Sequence, residues 1–122
     1  MNKIINLTQH NATPAQTAAG VVEPSPSAKT RLRNMLTFES LPSTSTLETT
    51  AALLAAWVYE EGHTHALIGG APFFMSTLEF HLKEFGITPL HAFSVRESVE
   101  ETRPDGSLHK TSIFKHVGFV ET

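Results

Sequence analysis

A small α/β fold, with a Rossmann-like parallel sheet flanked by helices and a C-terminal antiparallel β-hairpin, is what this sequence predicts. Three observations predict it. Short apolar runs at Lys3–Leu7, His65–Ile68 and Leu90–Val95 alternate with longer segments of helical periodicity. A Gly-Gly turn joins one such run directly to a proline-led helix, and a Pro-Asp-Gly turn near the end separates two alternating segments. With 122 residues, of which 40% are hydrophobic, the chain suffices for one ordinary core, so residues 1–122 are read as a single domain.

Lys3-Ile4-Ile5-Asn6-Leu7 is apolar and β-branched and stops at Thr8-Gln9-His10-Asn11, as a buried first strand running into a polar loop does. Thr13 before Pro14 places a capping hydroxyl ahead of proline at the first helical position, and Gly20 supplies a stop, giving a short helix over Pro14–Ala19. Glu23-Pro24-Ser25-Pro26-Ser27 reads as a loop. Ser27 then caps a helix over Ala28–Met35, on which Leu32, Met35 and Leu36 fall at helical spacing. Leu36–Leu41 is either a short strand or an extended approach to Pro42, which disfavours helix in the residue before it.

Ser45 and Glu48 form a capping box for a helix that carries Leu47, Ala51, Leu54, Ala55 and Val58 on one face and runs to about Glu61. Strand His65–Ile68 follows, then the Gly69-Gly70-Ala71 turn. Pro72 opens a helix faced by Phe74, Leu78, Leu82 and Phe85 and ended by Gly86. After strand Leu90–Val95, a hairpin of Ser98–Thr102 and Leu108–Phe114 turns on Arg103-Pro104-Asp105-Gly106, and Val117–Val120 supplies a possible edge strand.

Composition excludes several classes of function. The net charge is -3 and the nine Lys and Arg are scattered, so duplex DNA, which demands a basic stripe, is not an expected partner. Without cysteine there are no disulfides, thiolate metal sites or thiol nucleophile, and a reducing, cytoplasmic setting is expected. No apolar run has the roughly 18 residues of a membrane span, and Met1–Thr13 lacks the blocks of a secretion signal. Seven histidines include the pair His63 and His65, but no His-Glu-x-x-His or Glu-x-x-His helix accompanies them, so neither a metal nor another cofactor is expected.

Ligands of open parallel sheets bind beyond the carboxyl ends of the strands. Three clusters are expected on that edge: Thr8, Gln9, His10 and Asn11 after the first strand, Gly69 and Gly70 before a helix start, and Ser94, Arg96, Glu97 and Ser98 after the last parallel strand. Gly69 and Gly70 let backbone approach an anion near a helix N-terminus, although neither a Gly-x-Gly-x-x-Gly nor a Gly-Lys-Ser/Thr motif is present. Arg96, with Ser94 and Ser98 as supporting donors, suits a phosphate as well as it suits a surface pair with Glu97 or Glu100. His10 suits a general acid or base, with Gln9 or Asn11 orienting a substrate, although a histidine so placed more often only caps a turn. Lys115 adds positive charge beside the hairpin, and Asp105 is accounted for by its turn.

Asn6-Leu7-Thr8-x-His10, Ile68-Gly69-Gly70, Ala92-Phe93-Ser94-Val95-Arg96-Glu97 and Phe114-Lys115-His116-Val117-Gly118-Phe119 together resemble the small CRISPR-associated Rossmann-fold (CARF) domains and related standalone ring nucleases. The opening and the Gly-Gly segment also resemble small bacterial and prophage proteins without an assigned role. The first resemblance implies an anionic ligand, a cyclic oligoadenylate, bound across the two-fold axis of a homodimer with phosphates near Gly69, Gly70 and Arg96. It also implies metal-independent ring cleavage by attack of a ribose 2′-hydroxyl on its neighbouring phosphate, with His10 as acid or base. The segment from Glu23 to Pro42 has no counterpart in the simplest form of that family. The second resemblance implies instead a non-enzymatic protein that works by binding another protein.

Overall fold

The computed structural model describes residues 3–122; Met1 and Asn2, at the start of the segment read as lacking a secretion signal, lie outside them. Nine elements follow in chain order: β1 (Ile4–Asn6), α1 (Pro14–Ala18), β2 (Val21–Val22), α2 (Pro26–Leu36), α3 (Thr44–Glu60), β3 (His65–Leu67), α4 (Pro72–Glu84), β4 (Thr88–Thr102) and β5 (Leu108–Glu121). They form one five-stranded sheet of order β2-β1-β3-β4-β5, parallel from β2 to β4 and antiparallel between β4 and β5. The α/β class and the C-terminal hairpin are therefore as the sequence predicts.

The strand order sets the layers. From β1 the chain steps to one side to reach β2 through α1, then crosses back over β1 through α2 and α3 to reach β3 on the other side. Right-handed crossovers in opposite lateral directions must use opposite faces of the sheet. The cores agree. On one face Ile5, Ala66 and Ile68 pack with Leu32 and Leu36 of α2, Leu54 and Val58 of α3, and Phe74, Leu78 and Leu82 of α4. On the other, Ile4, Val21, Leu67 and Leu90 form a smaller cluster under Ala12, at the approach to α1, and Phe119 of β5. β1 and β3 thus flank the point at which the winding reverses.

Local chemistry moves several boundaries. β2 is two residues long, too short to show a period, and the sequence reading passes over it. α2 begins at Pro26 with Ser25 as its cap, not at Ala28 with Ser27, because Ser25 Oγ accepts the Ala28 N–H and proline occupies the first helical position. α3 is capped by Ser43 rather than Ser45: Ser43 Oγ accepts the Thr46 N–H at 3.1 Å, and Glu48, expected to complete a capping box, pairs with His81 of α4. Thr37 is extended and no strand forms over Leu36–Leu41. Thr13 and Gln16 make the complete capping box of α1.

The largest departure lies at the end. The strand read as Leu90–Val95, the hairpin read as Ser98–Thr102 with Leu108–Phe114, and the edge strand at Val117–Val120 are one continuous ribbon. Only Thr88, Pro89 and Leu90 of β4 pair with β3; from His91 to Thr102 β4 pairs with β5 alone. This part of the ribbon is mostly exposed on both faces and projects beyond the carboxyl edge of the sheet. A single irregularity interrupts its ladder: Phe93 faces Gly118 and Ser94 faces His116, which leaves Val117 as the extra residue of a bulge. No helix among the described residues is long and apolar enough to cross a membrane.

Candidate functional site

Asn6, the last residue of β1, organises the loop that follows it. It is buried to 1% exposure inside an otherwise apolar strand, and every polar atom of its amide is used. Nδ2 donates to the His10 carbonyl at 2.8 Å and to Glu23 Oε1 at 3.1 Å. Oδ1 accepts the Thr8 N–H at 2.9 Å and lies 2.7 Å from Thr8 Oγ1. The turn from Leu7 to Asn11 is therefore held from beneath by one side chain, in keeping with the requirement that buried polar groups be paired.

Glu23, which follows β2, completes this support. Its carboxylate accepts the Ala12 N–H at 2.7 Å and the Asn6 amide, and pairs with Lys29 of α2 at 3.0 Å; Lys29 also donates to Asn11 Oδ1. Partial burial by itself would push the Glu23 carboxyl up, but the Ala12 amide, the Asn6 amide and the Lys29 ammonium together hold it below its ordinary value. A carboxyl whose folded value is lowered stabilises the fold at neutral pH, and that contribution is lost as pH falls through the folded value. Glu23→Gln is expected to flatten this part of the acid limb in urea midpoints measured against pH. A variant as acid-sensitive as the parent would show that the carboxylate is not the source.

Of the residues singled out in the sequence, the structure brings some together. Thr8 and the Gly69–Gly70 turn meet at the carboxyl ends of β1 and β3: a Cβ built on Gly69 would lie 3.5 Å from Thr8 Cγ2. Gln9 reaches α2, where its Nε2 donates to the Leu36 carbonyl at 3.1 Å. Thr8 thus spends its side-chain hydrogen bonds on the loop itself and Gln9 and Asn11 spend theirs on α2, whereas the His10 imidazole is exposed. Gly70 has φ +144°, a backbone state that glycine adopts readily, and it turns the chain into α4. That helix starts at this edge with Ala71 at its cap position and no side-chain cap, so its first-turn dipole is unopposed.

The third cluster is elsewhere. Arg96 lies six residues beyond Leu90, the last residue of β4 paired with β3, and at strand rise this puts it about 20 Å further along the ribbon. Its guanidinium stacks on Phe114, its cross-strand neighbour, 5.3 Å from the ring centroid. Ser94 faces His116, Ser98 faces Ser112 and Lys115 faces Val95, all on the projecting ribbon. The sequence reading ended β4 at Val95 because polar residues follow. A two-stranded ribbon with no body beneath it carries polar residues on both faces, so polarity did not mark its end.

Asn6, Glu23 and Lys29 are the residues that sequence reasoning missed. A usable signal was present in Asn6, an amide lodged within Ile-Ile-Asn-Leu, since a buried strand rarely carries one without a partner. Three histidines have single partners: His91 pairs with Glu79 at 2.7 Å, His81 with Glu48, and His65 Nδ1 lies 2.8 Å from Thr64 Oγ1; among the described residues His116 Nδ1 is buried without one, beside Phe119. No group of three His, Cys, Asp or Glu positioned to hold a metal occurs among the described residues. Two concavities, of about 570 and 350 Å³, open around Arg31 and Trp57 between α2, α3 and the β2 edge, the smaller also lined by Glu23; neither includes Thr8, His10 or the Gly69–Gly70 turn.

The model of the uncharacterized protein MJ1673 family matches residues 2–120 of the chain. No curated protein and no solved structure matches it.

Proposed function

The chain belongs to the MJ1673 family, and from the arrangement at its strand ends we propose that it binds a phosphate-bearing small ligand of the cyclic oligonucleotide class. The observation that carries the reading is the meeting of Thr8 with the Gly69–Gly70 turn at the carboxyl ends of β1 and β3, where the winding of the sheet reverses. Open α/β sheets bind their ligands at such a reversal because the loops on either side diverge and leave a crevice. Here Gly69–Gly70 offers backbone with no side chain, an uncapped thirteen-residue helix starts beside it, and the loop that brings Thr8 to it also carries the exposed His10. Backbone amides at a helix start favour a phosphate or carboxylate over a neutral ligand.

Cyclic oligoadenylate is the member of this class implied by the sequence resemblance. Cleavage, as distinct from binding, would need a ribose 2′-hydroxyl to attack the adjacent phosphorus and expel the 5′-oxygen, giving a cyclic 2′,3′-phosphate. On this reading His10 would move that proton. Ser94, Lys115, Arg96 and Ser98 lie about 13 to 26 Å along the ribbon from Leu90, where β4 leaves the sheet, and are not assigned to the first contact with ligand.

A thermal-shift and chromatographic screen against cyclic and linear oligoadenylates, cyclic dinucleotides and mononucleotides tests the reading. One class is expected to raise the melting temperature, since a ligand at a hundred times its Kd adds about 2.7 kcal/mol to native stability. Gly69→Ala is the matched variant. Its new methyl meets Thr8 at ordinary van der Waals distance, so the fold should stand, while the wall of the crevice loses its open backbone and affinity should fall about tenfold or more, a cost of about 1.4 kcal/mol. No shift with any nucleotide would overturn the reading. It would favour the second one, binding of a protein partner, for which the exposed Phe93, Val95, Ile113, Phe114 and Val117 of the ribbon speak.

A further inference from the structure

The projecting ribbon has two free edges, and they are built differently. The outer edge of β5 carries Lys110, Lys115 and the bulge at Val117, features that discourage further strand pairing. The edge of β4 left open once β3 ends, from His91 to Thr102, has no lysine, no proline and no bulge. It runs about 40 Å with its backbone groups unpaired. Arg103 N–H donates to the Ser107 carbonyl at 2.9 Å, which makes 103 and 107 a hydrogen-bonded pair. Alternation from there aims the backbone N–H and C=O groups of Thr102, Glu100, Ser98, Arg96 and Ser94 outward along this edge. A two-stranded ribbon is marginal in water unless something adds to it.

We infer that β4 of one chain pairs antiparallel with β4 of a second copy, about a two-fold axis at Ser98, to make one continuous ten-stranded sheet. The register follows from charge and space. Across a two-fold axis normal to the sheet, opposed residues share a face, so one residue lies on the axis. Axes at Glu97, Glu100 or Glu101 oppose like residues, and an axis at Val99 sets Glu97 against the partner's Glu101. Axes nearer the body than Glu97 run the incoming strand into β3. An axis at Ser98 opposes Arg96 with the partner's Glu100 twice over, sets Phe93 against the partner's Arg103, and opposes no two like charges. Opposite charges directly across a ladder stabilise it and like charges destabilise it.

This pairing has a consequence for the crevice. Phe93 lies three residues past Leu90, and Gly70 lies three past Leu67, the residue paired with Leu90. The partner's Arg103 therefore arrives level with the Gly69–Gly70 turn, and each crevice gains a cation that its own chain holds at the far tip of the ribbon. Arg103's role rests on the anion reading of that crevice; the strand pairing does not.

Sedimentation of the full chain, with circular dichroism to confirm folding, tests the pairing. The expected mass is twice the 13.3 kDa of one chain. Arg96→Glu and Glu100→Arg singly should each return it to the single-chain mass, and the double variant should restore the dimer. Because the chain has no cysteine, Ser98→Cys treated with diamide should cross-link to a covalent dimer, and Ser112→Cys, its neighbour on β5, should not. A parent of single-chain mass at roughly 100 μM, where a dimer of about 1 μM Kd is mostly assembled, or cross-linking through Ser112→Cys and not Ser98→Cys, would overturn the pairing. Arg103→Ala should keep the dimer mass and lose the thermal shift given by cyclic oligoadenylate; an unchanged shift would remove Arg103 from the crevice. Absence of any nucleotide shift in the parent overturns the ligand reading, and with it Arg103's role, while mass and cross-linking still decide the pairing.

Discussion

Asn6→Ala should cost about 3 kcal/mol of folding stability, a large loss for a polar residue in a protein of this size. The side chain removed donates to His10 and Glu23 and accepts from Thr8; the His10 carbonyl keeps Thr8 Oγ1 at 3.0 Å and Glu23 keeps Ala12 and Lys29, but the Thr8 N–H has no second acceptor among the described residues. The Thr8 N–H would be left wanting a partner and the Asn6 site would hold a cavity beneath the loop, and an unsatisfied buried group alone costs about 1 to 3 kcal/mol. Urea unfolding measures the loss directly. A drop below about 1 kcal/mol would mean that water takes over the amide's partners. Asn6→Asp sharpens the test. It places a second carboxylate against Glu23, so two like charges share one site and the variant should be weaker than the parent at neutral pH and recover in mild acid.

Phe74→Ala should be the most damaging single change, at about 3 to 5 kcal/mol. Phe74 is fully buried in the first turn of α4, its ring centroid 5.6 Å from that of Phe38, and it packs among side chains of the α3 and α4 layer. Truncation leaves a cavity that the sheet and two helices cannot easily close. The effect should reach the crevice, because the same turn carries Pro72 and follows directly on Gly69–Gly70. Denaturant unfolding gives the size of the loss; a value under about 2 kcal/mol would mean that the surrounding side chains collapse into the space.

These two residues also show what the sequence made legible. Phe74 was readable because it stands at helical spacing with Leu78 and Leu82 behind a proline, and a buried helix face announces itself by period. Asn6 signalled only that it needed partners, not which, because they come from Thr8, His10 and Glu23, and the last lies seventeen residues away on a loop with no pattern of its own. The cap of α3 was misplaced for a similar reason. Ser43, Thr44, Ser45 and Thr46 all offer hydroxyls, and the choice was settled by packing that draws Glu48 across to His81.

At the carboxyl edge, the two clusters that follow β1 and β3 were legible because both come directly after apolar runs that end in the body of the sheet. The third was displaced, since nothing in Ser94–Ser98 distinguishes a loop from a ribbon exposed on both faces. Only the ladder from Leu90 through Glu121 reveals that the chain has not turned.

The bulge at Val117 decides where that ribbon goes. On its body side, Phe119 is fixed over Ile4, Leu67 and Leu90; on its tip side, no part of the body holds the strands. A bulge bends its strand and tightens the local twist, so one unpaired residue acts as a pivot that aims a lever about 30 Å long. Removing Val117 would keep every cross-strand partner from Ser94 to Thr102 and yet point the tip in a new direction. The reach of the ribbon is written in its length, and its bearing in a single valine.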